Sequence, residues 1–234
     1  MPLDPATERA RLTSQKVPTP TALDTEEIRA FWDQRRRNQA MFSARTTSTA
    51  YLERVKEVLQ EYQDGLGEAE PQATEDTITQ GRARARMQML EALQGLGLVE
   101  GETGDSGRVV DLASSVRLNL IIETNAQVAH SLEQLQSSSD PINRVMFPAW
   151  EFVRDEHRQE PRNWAVRWHE SAQAVNWEGV AQHAGDRMVA LKDSPIWARL
   201  GSYDDGLGNP FPPFSFNSGM GWEDVDADDW EEIQ

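Results

Sequence analysis

The sequence predicts a mainly α-helical protein. An N-terminal helical region is followed by a compact α+β region rich in Trp and Pro, with an extended tail. Three observations carry this prediction. Apolar residues recur at helical spacing through the first part of the chain. Seven of the eight tryptophans lie at or after Trp150, and seven of the twelve prolines at or after Pro141. Strand signals are weak throughout, and residues 185–191 are the best candidate, for a small sheet with the tail. Four segments result: a flexible N-terminal arm (1–23), a helical region (24–140), the Trp/Pro-rich region (141–221) and an acidic tail (222–234).

The arm is polar and carries Pro2, Pro5, Pro18 and Pro20, so it is expected to order only against a neighbour. Asp24 then starts a helix, with Glu27 completing a capping box. Ile28, Phe31, Trp32 and Phe42 form its apolar side, and Arg35-Arg36-Arg37 is a solvated or salt-bridged face. A second helix, about 47–64, repeats Tyr51, Val55, Val58 and Tyr62 and stops at Asp64-Gly65-Leu66-Gly67. After a polar loop with Pro71, a third helix covers about 75–95, with Ile78, Ala85, Met89 and Leu93 inward. The Gly101–Gly107 stretch is a turn-rich loop. It lacks the Lys-Ser/Thr ending of a phosphate loop.

The fourth helix, about 111–137, carries Leu118, Ile121, Asn125, Val128, Leu132 and Leu135 in one stripe. Asn125 interrupts it. Such an Asn either bonds a neighbouring backbone group or fixes register and partner choice. Short helices are expected at about 146–158 and 161–174; Pro161 suits a first turn, and Trp164 and Trp168 are one turn apart.

The tail holds Pro210-Phe211-Pro212-Pro213-Phe214-Ser215-Phe216-Asn217. Proline lacks the N–H and forces the preceding residue to extended geometry, so this string is no helix interior. Three Phe are too many for a free linker. They either dock a partner, with Trp197, Phe211, Phe214, Phe216 and Asn217 as contacts, or close the protein's own core. The final stretch from Trp222 has seven acids and no base. Asp224, Asp226 and Asp228 mimic the start of a calcium loop, but Asp229 stands where glycine is needed. Trp222 and Trp230 would let this tail dock a basic surface.

The formal charge of −16 argues against general nucleic-acid binding and fits a protein that avoids self-association. Arg dominates, Lys16, Lys56 and Lys192 being the only lysines. No cysteine is present, which excludes thiolate chemistry and disulfides. No apolar run is long enough to span a membrane, and no signal peptide is expected. His130, His157, His169 and His183 form no zinc motif, and no nucleophile elbow occurs. Asp155-Glu156-His157 and Trp168-His169-Glu170 are polar clusters, and Asp204-Asp205-Gly206 a plain turn. No catalytic residue, metal site or cofactor is therefore expected.

Four stretches carry a family resemblance. They are Phe42-Ser43-Ala44-Arg45-Thr46-Thr47, then Asp111–Asn125, and then Phe147-Pro148-Ala149-Trp150-Glu151 with Pro161–Trp164 and Arg167-Trp168. The fourth is Met188–Trp197 through the Pro-Phe tail. In this order they resemble the Mu-like phage head-morphogenesis, or minor head protein, family. Many members end the tail in an Asn-Cys-Arg-Cys-type string; here it reads Asn217-Ser218-Gly219-Met220, so no cysteine-based role is carried over. The resemblance implies a minor virion or assembly component, multi-copy in the assembly but present in few copies near the portal vertex, and in the host cytoplasm during assembly. It would act in head assembly or packaging against portal, major capsid or neck subunits, without sequence-specific nucleic-acid binding. Two other readings stay open: a virion-borne hydrolase or group-transfer enzyme, and a non-viral adaptor with an acidic tail.

Overall fold

The computed structural model describes residues 5–69, 75–99, 105–155 and 161–234. Two compact units divide at Ala129/His130, inside a helix rather than at the composition change near residue 141. Helices dominate, with a two-stranded pair in the first unit and a three-stranded sheet in the second, as the mainly α reading anticipates. Among the described residues, no helix is long and apolar enough to cross a membrane.

Unit one is built on α4 (Thr49–Ala69) and α5 (Glu75–Gly95) with the first half of α6 (Ser115–Ser137). Tyr51, Leu52, Val55, Val58, Leu59 and Tyr62 of α4 are buried against Ala85, Met89 and Leu93 and against Leu118 and Ile122. The paired spacings 51/55/58/62 and 52/59 give α4 an apolar stripe wide enough for neighbours on more than one side. One neighbour is α1 (Pro5–Ser14), which packs on α4 and buries Ala10 and Thr13. The stretch read as a flexible arm therefore holds a packed helix. Its apolar residues are too few to announce it, and burial against α4 supplies what propensity does not.

The glycine stop read at Asp64–Gly67 does not occur: α4 runs on to Ala69. A helical glycine costs only about 1 kcal/mol, so it does not by itself end a helix. Asp24 does cap α2 (Thr25–Phe31) through a full capping box. The helix is shorter than its apolar pattern suggests. It ends at Trp32, α3 (Gln34–Gln39) follows under its own cap Asp33, and Phe31 is 71% exposed. Ile28, Trp32 and Ala40 form a small second core, with Phe42 edge-on to Trp32 at 5.0 Å. Strands β1 (Val17–Pro18) and β2 (Ala40–Met41) pair in parallel beside it.

Unit two holds an antiparallel sheet of order β4-β3-β5: β3 (Ala149–Arg154), β4 (Val189–Leu191) and β5 (Met220–Val225). The helix read at 146–158 is therefore replaced by strand β3, flanked on its N-terminal side by the short α7 (Pro141–Met146). Pro148 disfavours helix in its predecessor, and Trp150 and Phe152 alternate with half-exposed residues, a period of two. The residues read as a free acidic tail form β5 and α10 (Ala227–Ile233), with Trp222, Val225 and Ile233 buried. Strand pairing and those three apolar residues outweigh acidity. The unit is completed by α8 (Trp164–Ala174) and α9 (Ile196–Gly201).

Candidate functional site

Aromatic rings build the core of unit two. Trp150 stacks on Trp222 with centroids 3.8 Å apart, the diagonal arrangement that cross-strand partners allow. Phe152 meets Trp164 edge-on at 5.3 Å and Phe214 at 5.4 Å. Trp168 meets Trp197 at 5.5 Å. Such edge-to-face and stacked pairs add to area burial.

This places the tail residues. Phe214 is 0% exposed, and Trp197 and Phe211 are buried, so these three close the protein's own core and cannot serve as docking contacts. Phe216 is half-buried and Asn217 exposed. Asn217 adopts φ 54°, a left-handed conformation that Asn tolerates better than most residues. Asn125 lies in unit one. It accepts from Lys16 Nζ at 2.7 Å and donates to the Ile121 carbonyl at 2.9 Å, so it is satisfied where it sits.

Unit two also carries an open depression of about 570 Å³, lined by Arg167, Arg199, Ser202, Tyr203, Asp204 and Asp205. Asp205 is its pivot. Arg167 grips it with two N–H groups at 2.9 and 3.1 Å, and Arg162 Nε adds a third contact at 2.7 Å. Partial burial pushes the Asp205 carboxyl up, but the two guanidiniums outweigh it and hold the group below the usual carboxylate range. Arg162 also donates to the Asn217 carbonyl at 3.4 Å, which ties the extended tail to the depression.

Tyr203 receives two cations on its ring, Arg167 at 4.7 Å and Arg199 at 5.3 Å. Its hydroxyl donates to Glu170 at 2.9 Å, and burial chiefly raises its pKa. Arg199 donates to Ser202 Oγ at 2.7 Å while that hydroxyl donates back to the Arg199 carbonyl at 2.8 Å. Among the described residues, no carboxylate pairs with Arg199. Its guanidinium is exposed.

Glycine shapes the wall. A Cβ on Gly201 would run into the backbone of Asn209, and one on Gly206 into the Gly201 carbonyl. The Asp204-Asp205-Gly206 turn is thus a close backbone crossing that presents Asp205 to two arginines. The pattern Asp-Asp-Gly signals a turn, but nothing in sequence spacing links it to Arg162 or Arg167.

Other motifs find structural uses. Asp224 pairs with buried Lys192 at 2.7 Å. Asp226 caps α10 through Asp229 N, and Asp229 forks onto Arg187 at 2.9 and 2.8 Å. Among the described residues no group of three or more His, Asp or Glu could hold a metal ion. Glu156 and His157 lie outside the described residues; His169 bonds Gln173 at 3.0 Å.

Unit one contains one junction that sequence reasoning missed. Arg117 is buried at 6% exposure. It donates to Ser43 Oγ at 2.8 Å, to the Ala44 carbonyl, to Thr46 Oγ1 at 3.4 Å and to the Val110 carbonyl at 3.3 Å. One side chain thereby joins the 43–46 and 109–110 loops. A cation inside the otherwise apolar start of α6 was its only sequence signal. No family model, no curated protein and no solved structure matches this chain.

Proposed function

We propose that this chain is a minor head protein of a phage particle, a non-catalytic component of the portal vertex used in head morphogenesis or packaging. Its partners would be portal, major capsid or neck subunits, each particle would hold several copies, and no cofactor would be needed. The observation that carries the reading is where the resemblance-bearing stretches fall. Ser43, Ala44 and Thr46 of the first meet Arg117 of the second. Trp150, Trp164, Trp168, Trp197 and Phe214 of the third and fourth share one aromatic core. Residues that match a family pattern and also build each interior are those a common fold would require.

In this reading the docking contacts are the exposed groups around the depression, Arg199 and Asn217, rather than the buried Phe residues. Quantitative mass spectrometry of purified particles and emptied heads tests it. A low, fixed copy number supports the reading. Absence from particles, together with unchanged particle yield when the gene is deleted, removes it. Arg199→Glu should lower incorporation into particles with an unchanged melting temperature. Phe214→Ala should instead destabilise the fold by about 3–5 kcal/mol, read from urea unfolding.

A further inference from the structure

Unit one carries an unusual concentration of positive charge for so acidic a chain. Arg29, Arg35, Arg36 and Arg37 fall within α2, α3 and the turn between them. The acid in their midst, Asp33, spends a carboxylate oxygen on capping α3, accepting from Arg36 N at 2.7 Å. Among the described residues no carboxylate is paired with the guanidinium of Arg35 or Arg36. Arg36 lies over the Trp32 ring, its Cζ 4.3 Å from the centroid. Burial lowers the pKa of Arg37, and the nearby Arg29 charge lowers it further. The Asp33 charge acts the other way on Arg37.

The arginines border an open hollow of about 310 Å³, lined by Val17, Thr19, Asp33, Arg35, Arg36, Gln39 and Ala40. Its rim is apolar as well as cationic. Val17, in its lining, is 62% exposed. Outside that lining, Phe31 at the C-terminal end of α2 is 71% exposed.

We propose that this face docks an amphipathic acidic segment of a partner protein, its carboxylates on Arg35 and Arg36 and its apolar side chains on Val17 and Phe31. Planar guanidinium forks suit carboxylates and phosphates alike. Two features favour a peptide over a nucleic-acid backbone. Exposed apolar side chains have no counterpart on a phosphate chain. The basic footprint is also local, whereas duplex binding draws on a basic stripe across a domain, and the net charge of −16 repels an extended polyanion. The inference is independent of the phage reading.

The test uses the full chain and fluorescence anisotropy with three labelled probes of equal charge: an alternating Glu–Leu peptide, an alternating Glu–Ser peptide and an oligothymidylate. The Glu–Leu peptide should bind tightest, and its affinity should fall as salt rises to about 0.15 M, where the screening length is about 8 Å. Arg35→Gln/Arg36→Gln should weaken it about tenfold or more, since charge-assisted contacts are the strong ones. Phe31→Ser, at an exposed position outside the core, should weaken it about threefold while leaving the Glu–Ser peptide unaffected. The proposal is overturned if no peptide binds, or if the arginine pair can be replaced without effect. It is equally overturned if the oligothymidylate or the Glu–Ser peptide binds as tightly as the Glu–Leu peptide.

Discussion

Arg117 is the residue on which unit one turns. Its guanidinium is pushed down in pKa chiefly by burial, with Tyr51 and Asp111 acting the other way, and it is satisfied by hydroxyls and carbonyls rather than by a carboxylate hydrogen bond. Arg117→Ala would strand several buried acceptors, so it should cost about 2–3 kcal/mol in urea unfolding. Lys16 gives a pH signature. It is buried, its partner is Asn125, and burial lowers its pKa to about 8 from an ordinary 10.5. Between those values the unfolded chain binds the proton that the folded chain has released. Stability contributed by Lys16 is therefore fully present above about pH 10.5 and is lost as pH falls through 8. Melting temperature should rise from pH 7 to 10, and Lys16→Met should flatten that rise. Above this range Tyr51 opposes it: burial raises its phenol pKa, so the unfolded chain ionises first and stability falls.

At the scale of elements, periodicity read the long helices well. The third predicted helix, about 75–95, matches α5 (Glu75–Gly95), because Ala85, Met89 and Leu93 recur at helical spacing. The Asp24 cap and its Glu27 partner were legible because a capping box is a local device. Strand β3 was not, because its Trp and Phe could equally face a helical core until β4 and β5 pair with it. Close backbone crossings were also invisible. Gly201→Ala places a Cβ against the Asn209 backbone, which cannot yield as a flexible side chain would. It should cost about 1–3 kcal/mol, as overpacking does, and should loosen the Asp205 turn. Urea unfolding reads that cost.

At the scale of the whole molecule, the two units stand on different kinds of core. Unit one buries aliphatic and tyrosine side chains between helices, whereas unit two depends on a few stacked tryptophans around a sheet. The C-terminal stretch is part of the second. Residues 220–225 pair along the whole of β3, and Arg187 links Glu151 of β3 to Asp229 of α10 at 2.8 Å on each side. Deleting residues 220–234 should therefore abolish the near-ultraviolet circular dichroism of the tryptophan cluster. The α-helical far-ultraviolet signal of unit one should persist. A dispensable acidic tail would leave both unchanged.

What the sequence determined by itself was local or compositional. Helix periodicity marked α4, α5 and α6, the Asp24 cap marked α2, and Trp and Pro content marked a second, irregular region. The same composition limits the solvent-facing chemistry, since the chain has no cysteine and a charge of −16. Tertiary structure alone decided whether an apolar residue faces inward or a charged residue has a partner. Phe214 became core and Phe31 surface. Asp205 met Arg162 and Arg167 across 43 and 38 positions of sequence, and Arg117 met Ser43 across 74. Periodicity reports which side of one element is apolar. It carries no information about which distant loop arrives to satisfy a buried cation, because that contact depends on the closed path of the chain rather than on any neighbour in sequence.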